Sequence, residues 1–408
     1  MDPPLPIEGI LPPDLQGTLL RIGPGEGGAG ALNAVELRDG TAVSLVTCDS
    51  AADANVFWHA GSVLALAEVG LPLQYSRQLV EEEFGGGLTV PIASHVHRDA
   101  ATGHRVLFGV EEGAETNRLR LGEWDAQGAL ASFQAVTLER ATWQHDLAVT
   151  ARHIVFVESP TEPLPGDDAV PFRWTPGAEC WAGVVPRGGE GTTVRWFRLE
   201  PCLVTHVLGA SDDGDDGDIV LYVCAYQVPE KGQPVDLTSS IVGPDGIGMT
   251  LIGGGLPVLE RWRISGGRLE RTQVDERFVE YPRVDPHCEG LPFRYGYCVE
   301  LDRGPLDQQG IDHLGLLRFD VQRDEVTSWN PGQYRTASEP LFVRAVDGRS
   351  DDEGWLLTVV DDATRGASDI YVLDASSFGR RGPQAVIHLP NAVPFRSHGE
   401  WVGADRYR

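Results

Sequence analysis

Apolar residues in this chain gather in short runs of about five to nine, with turn clusters between them. Runs of this kind are Thr18–Ile22, Ser62–Leu66, His104–Val110, His153–Val157, Thr193–Phe197, Ile219–Ala225, Leu256–Ile264, His313–Phe319, Trp355–Val360 and Asp369–Leu373. The intervening clusters are rich in Asp, Ser and Gly, as in the Ser211–Asp218 stretch, Ser265-Gly266-Gly267 and Gly348–Gly354. Such punctuation is what antiparallel strands joined by tight turns require. Long segments with apolar residues at a 3.6-residue period are almost absent. The pattern therefore predicts an all-β fold of many short strands, either a propeller or a barrel.

With 49 glycines and 28 prolines the chain can supply turns at that frequency. No short exact repeat marks individual propeller blades. No structureless polar linker longer than about 12 residues divides the sequence, so residues 1–408 read as a single domain.

The formal net charge of −27, with lysine nearly absent, excludes a nucleic-acid partner, because phosphate binding rests on clustered Lys and Arg. No apolar run approaches the roughly 20 residues that a membrane-spanning helix needs. The start, Met1-Asp2-Pro3-Pro4-Leu5-Pro6, has neither a basic nor an apolar leader region, so a cytoplasmic location is expected. The six cysteines are widely spread and include no C-x-x-C pair, which predicts free thiols, mostly buried.

Two motifs mislead. Gly23-Pro24-Gly25-Glu26-Gly27-Gly28 satisfies G-x-G-x-x-G, but a dinucleotide site needs a helix directly after the third glycine, and Ala29–Val46 reads as loop and strands. His287-Cys288-Glu289 suggests a thiol–histidine pair, yet neighbours on a strand point to opposite faces. No G-x-S-x-G is present either.

Four histidines stand at the edges of strand-like runs: His95 in Ser94-His95-Val96-His97-Arg98-Asp99, His145 in Trp143-Gln144-His145-Asp146-Leu147, His206 in Val204-Thr205-His206-Val207-Leu208, and His398 in Arg396-Ser397-His398-Gly399-Glu400-Trp401. Neutral imidazole is the commonest transition-metal ligand. Compact ligand pairs such as H-E-x-x-H are absent, so spacing alone favours ordinary strand-edge histidines.

In order and separation, however, the four segments resemble the iron-ligand segments of the carotenoid cleavage oxygenases, a family of non-haem iron(II) enzymes. His95, followed by Asp99 and Thr102-Gly103, is similar to H-P-x-x-D-P-x-T-G. His145-Asp146-Leu147-Ala148-Val149-Thr150 is similar to H-D-[FL]-x-[IV]-T, His206 to F-H-x-x-N-A, and His398 to H-G-x-[WF]-[VI]. Three acidic residues match the family's glutamates that hold ligand imidazoles from behind. Glu68 lies in Leu64-Ala65-Leu66-Ala67-Glu68-Val69-Gly70-Leu71-Pro72, Glu280 in Glu280-Tyr281-Pro282-Arg283-Val284, and Glu339 in Ser338-Glu339-Pro340-Leu341-Phe342-Val343. A carboxylate on the remote ring N–H fixes the tautomer and aim of a ligating histidine.

The chain departs from the family in three places. The family's H-W-F-D-G-x-G-M type stretch is missing between Gly25 and Asp39, Val96 replaces a proline, and Thr205 and Gly209 replace an aromatic residue and an asparagine.

The resemblance implies a seven-bladed β-propeller with a loop and helix dome over its metal-bearing face. It implies Fe(2+) on His95, His145, His206 and His398, and O2-dependent cleavage of a conjugated C=C bond to two carbonyl products with no organic cofactor. The substrate is then an apolar small-molecule alkene. Stilbene-cleaving relatives carry a lysine just before the first glutamate, where this chain has Ala67, so a carotenoid or apocarotenoid is favoured over a stilbenoid or other aryl alkene. Trp143, Phe293, Tyr295, Phe395 and Trp401 are candidates to line the substrate tunnel, against ordinary core roles. A hydrophobic tunnel mouth would suit lipid-dissolved substrates and so peripheral membrane contact. Two other readings are a polyene isomerase on the same scaffold and a non-catalytic propeller that binds a partner.

Overall fold

The structure, a computed structural model, describes all residues except 1–2, 26–28, 86, 112–116, 139–141, 164–171, 176–177, 189–192, 215–216, 228–233, 237–255, 304–310, 394–397 and 405–408. Its described elements are β-strands, with one 3-10 turn at Ala375–Ser377. They form the seven blades of a β-propeller.

Blade one consists of Gly399–Gly403, Gly17–Pro24, Gly30–Arg38 and Thr41–Ser50, and blade two of Asn55–His59, Ser62–Leu66, Leu73–Tyr75 and Glu81–Glu82. Blade three is His97–Arg98, Arg105–Glu111, Asn117–Trp124 and Leu130–Leu138. Blade four is Ala148–Val149, His153–Glu158, Cys180–Pro186 and Arg195–Leu199. Blades five and six are fused by one strand of 17 residues, Arg268–Val284. Its first half pairs with Val258–Ser265 and its second with Tyr295–Arg303. Blade five begins at Cys202–Asp213 and blade six ends at Glu325–Trp329. Blade seven holds Leu341–Arg344, Gly354–Asp362, Ala367–Asp374 and Ala385–His388.

The turns follow from local chemistry. Asp39-Gly40, Ala60-Gly61 and Gly266-Gly267 all have positive φ, the conformation that two-residue hairpin turns demand. The glycine-rich segment after Pro24 joins two antiparallel strands, Gly17–Pro24 and Gly30–Arg38, and opens no helix. Despite the missing family stretch, blade one keeps four strands.

Among the described residues seven apolar clusters hold the ring, one at each junction between neighbouring blades. Blades one and two, for example, meet through Leu20, Leu32, Val63 and Tyr75, and blades six and seven through Tyr297, Leu316, Phe342 and Leu356. The seventh junction, between blades seven and one, joins Leu19 and Val35 to Leu357, Ile370 and Ile387. Strands from opposite ends of the chain pair there as well. Gly399–Gly403 lies beside Gly17–Pro24, and Ile7–Gly9 beside Ala385–His388.

Outer strands alternate buried and exposed positions, as Leu130–Leu138 does, because one of their faces meets water. A small sheet of Thr161–Pro163, Phe172–Trp174 and Val235–Asp236 is separate from the blade sheets. All six cysteines are free, four of them buried. No helix among the described residues is long and apolar enough to cross a membrane.

Candidate metal centre

Each blade delivers one chemical group to the propeller axis. His398 directly precedes the innermost strand of blade one, His95 and His145 lie two and three residues before those of blades three and four, and His206 sits within that of blade five. Glu68 follows Ser62–Leu66 of blade two, Glu280 lies on the blade-six half of Arg268–Val284, and Glu339 stands two residues before Leu341–Arg344 of blade seven. Ligands this far apart in sequence meet because every inner strand passes the same axis.

The Nε2 atoms of the histidines converge: His95 to His145 is 3.2 Å, His145 to His206 3.3 Å, and His206 to His398 3.2 Å. The ligand atoms of His95, His206 and His398 all lie within 4.8 Å of one another. Five of the six ring pairs have centroids 4.5 to 5.1 Å apart, the remaining pair being His145 with His398. A tetrahedral set would bring all six pairs equally close. Five close pairs and one across the centre is the arrangement of four ligands on an octahedron with two adjacent corners left over.

Each glutamate takes a ring N–H from behind. His145 Nδ1 is 2.7 Å from Glu68 Oε1, His206 Nδ1 2.5 Å from Glu280 Oε2, and His398 Nδ1 2.6 Å from Glu339 Oε1. An ionised carboxylate there fixes the proton on Nδ1 and leaves the Nε2 lone pair facing the centre. The donor set suits a divalent transition metal, since neutral imidazoles leave its charge intact.

The carboxylates are themselves held in three different ways. Glu68 accepts from Trp143 Nε1 and Ser94 Oγ. Glu280 accepts from the Thr205 hydroxyl and from Tyr281 N. Glu339 accepts from Arg283 Nε at 2.7 Å, from Arg21 Nη1 at 2.9 Å and from Gly399 N. Burial opposes ionisation of Glu339, but Arg283, His398 and Arg21 together hold its carboxyl far below the usual range.

Burial, with the neighbouring imidazoles, pushes His95 well down, and it brings His398 to about 4 in spite of Glu339. For His145 burial is outweighed by Glu68, and the net shift is upward. Behind the ligands, Asp146 ties three blades together. Its carboxylate contacts His97 Nε2 at 2.6 Å and accepts the amides of Leu147 and Val207.

A small cavity bordered by His95, His206 and His398 also has Asn55, Val96, Arg98, Arg283, Val284 and Glu289 in its wall. The same six residues also line a larger cavity of about 630 Å³. Of the aromatic candidates, Trp143 lies 4.8 Å from the His145 ring. Phe293 packs on Tyr222 and over Gly209, and Tyr295 lies between Arg294 and Arg318. Trp401 borders the larger cavity, and Phe395 falls outside the described residues. The His287 ring turns to Asp285, and burial pushes the Cys288 thiol up to about 11, so these two form no catalytic pair.

A family model described as retinal pigment epithelial membrane protein matches residues 42–403. The chain belongs to this family, the carotenoid cleavage oxygenases. It is therefore an oxidoreductase of the dioxygen-incorporating type. Among curated members it is 28% identical to an isoeugenol monooxygenase of Pseudomonas putida over 373 residues, covering 86% of this chain and 74% of the relative. It is 24% identical to a carotenoid cleavage oxygenase of Mycobacterium tuberculosis over 408 residues, covering 85% and 76%. The crystal structure of the lignostilbene dioxygenase of Pseudomonas brassicacearum superposes with a TM-score of 0.84 at 23% identity, covering 98% of this chain and 95% of that one.

Sequence reasoning missed Arg21, Ser94, Thr205 and Asp146 as partners of the centre. A signal existed for Arg21, a charged residue inside the apolar run Thr18–Ile22.

Proposed function

We propose that His95, His145, His206 and His398 hold one Fe(II), and that the chain cleaves a conjugated C=C bond of an apolar alkene with O2. The supporting observation is the convergence of four Nε2 atoms, three of them backed by carboxylates, with two adjacent coordination positions left over. Bound ferrous iron supplies a site where dioxygen is activated beside the alkene. The reaction balances as R–CH=CH–R′ + O2 giving RCHO + R′CHO, with no further reductant.

The protein's own residues position and exclude. Glu68, Glu280 and Glu339 keep the imidazoles in one tautomer, and the buried setting keeps water from competing with the apolar substrate.

For the substrate, the identities of 28% and 27% to two isoeugenol monooxygenases favour the side-chain double bond of an aryl alkene. Ala67, in place of the lysine of stilbene-cleaving relatives, favours instead a polyene without a phenol to anchor. The test starts with metal. Anaerobically purified protein reconstituted with ferrous salt should hold about one iron per chain, lost in His145→Ala and His206→Ala. Aryl propenes, stilbenoids and apocarotenals supplied under 18O2 should then give two carbonyl fragments from one class, with label in the new carbonyls. Folded protein that takes up no iron overturns the reading.

A further inference from the structure

The three carboxyl groups behind the histidines differ in the donors that hold them. Glu339 has two guanidiniums, and Glu68 is partly open to its surroundings, with 13% of its side chain exposed. Glu280 is 0% exposed, and its hydrogen-bond donors among the described residues are His206 Nδ1, Tyr281 N and the Thr205 hydroxyl, none of them a guanidinium or ammonium. A buried carboxyl group with no guanidinium or ammonium among its donors depends on each donor it has. Thr205 is the only one of these donors that is neither backbone nor a ligand.

The backbone is bent to bring it there. In a regular strand Thr205 and His206 would point to opposite faces. The strand Cys202–Asp213 carries an extra residue at this point: Val204 pairs with Ala225 and His206 with Cys224, the next residue along. Such a bulge leaves Thr205 without a partner of its own and re-aims its side chain. Hydroxyl and imidazole thus reach the two oxygens of one carboxylate. Thr205 also has Cys224 O within 3.5 Å, but its single proton goes to the nearer acceptor, Glu280 Oε1. In the family motif F-H-x-x-N-A this position is a phenylalanine, which has no hydrogen-bond donor.

We propose that Thr205 is a positioning residue of the metal centre: its hydroxyl holds the Glu280 carboxyl group in alignment, and through Glu280 it fixes the aim of His206. This rests on the four-histidine reading. It extends that reading by one residue that departs from the family motif.

Co(II) serves as the probe, through its visible spectrum and its dissociation constant by chelator competition, alongside the melting temperature of metal-free protein. Wild type and Thr205→Ser, which keeps the hydroxyl, should bind alike. Thr205→Val, which keeps the shape, should bind roughly 10- to 100-fold more weakly with an altered visible band. A merely structural hydroxyl would lower the melting temperature and leave affinity and spectrum alone. Thr205→Val affinity within threefold of wild type overturns the proposal. If that variant does not fold, Thr205→Cys, a weak donor, against Thr205→Ser decides in the same way. Failure of wild type itself to bind Co(II) overturns the underlying four-histidine reading instead.

Discussion

Replacing Arg21 by Met tests whether the charge behind His398 is fixed by an ion pair or by shape. Arg21 and Glu339 are 3% and 1% exposed, with 2.9 Å between Nη1 and Oε2. At an effective dielectric of about 20, opposite charges at that distance attract by about 6 kcal/mol, from which the desolvation of both groups must be subtracted. Methionine keeps most of the apolar stem, and Glu339 keeps Arg283, His398 Nδ1 and Gly399 N. Because Arg283 still pairs with Glu339, the cost should fall below the roughly 3–5 kcal/mol of a fully orphaned buried charge, at about 2–3 kcal/mol. With an unfolding entropy of about 2.1 cal/mol/K per residue, 408 residues give about 0.9 kcal/mol per degree, so the melting temperature should fall by about 2–3 °C. Urea unfolding and calorimetry of metal-free protein at pH 7 measure it. In the Glu339→Gln background the same substitution should cost less than about 1 kcal/mol, because the buried anion is already gone. Equal costs in both backgrounds would mean that Arg21 acts through its packing, and the electrostatic account would be wrong.

Three further outcomes follow from the same geometry. His398, held at about 4 against 6.5 in a free chain, takes up its proton later in the native state than in the unfolded one. Metal-free protein should lose up to about 3 kcal/mol through this group as pH falls from 6.5 to 4, and His398→Gln should flatten that slope; an unchanged slope contradicts the assignment. Glu68→Gln should weaken Co(II) binding roughly 10- to 100-fold in chelator competition, and a smaller change would show that Trp143 and Ser94 suffice to aim His145. A Cβ at Gly209 would stand 2.7 Å from Phe293 Cε1. Gly209→Ala should thus destabilise by about 1–3 kcal/mol in urea, with Phe293→Leu in the same chain recovering most of it.

The all-β class was legible because strand-length apolar runs and turn clusters alternate along the whole sequence. The converging histidines and their glutamates were legible only as an ordered set, since no two of them share a local motif. What could not be read was the third layer of contacts. Whether Thr205 faces away from His206 or alongside it depends on one extra residue in strand pairing, and nothing in Val204-Thr205-His206 announces that bulge. Arg21 and Glu339 are 318 residues apart and meet only when blade one packs against blade seven. Phe293 and Tyr295 stand near Glu280 in sequence, but blade packing carries Phe293 onto Tyr222 and Tyr295 between two arginines, because closeness along the chain does not say which side of a blade a ring will cover.

The pairing of Gly399–Gly403 with Gly17–Pro24 also sets an order in time. During synthesis His95, His145 and His206 emerge long before His398, and the strand that carries blade one's inner edge comes later still. A nascent chain can present at most three of the four imidazoles, on an arc whose first blade still lacks its innermost strand. The full set of four imidazoles therefore assembles only when Gly399–Gly403 takes its place beside Gly17–Pro24, the same step that completes blade one.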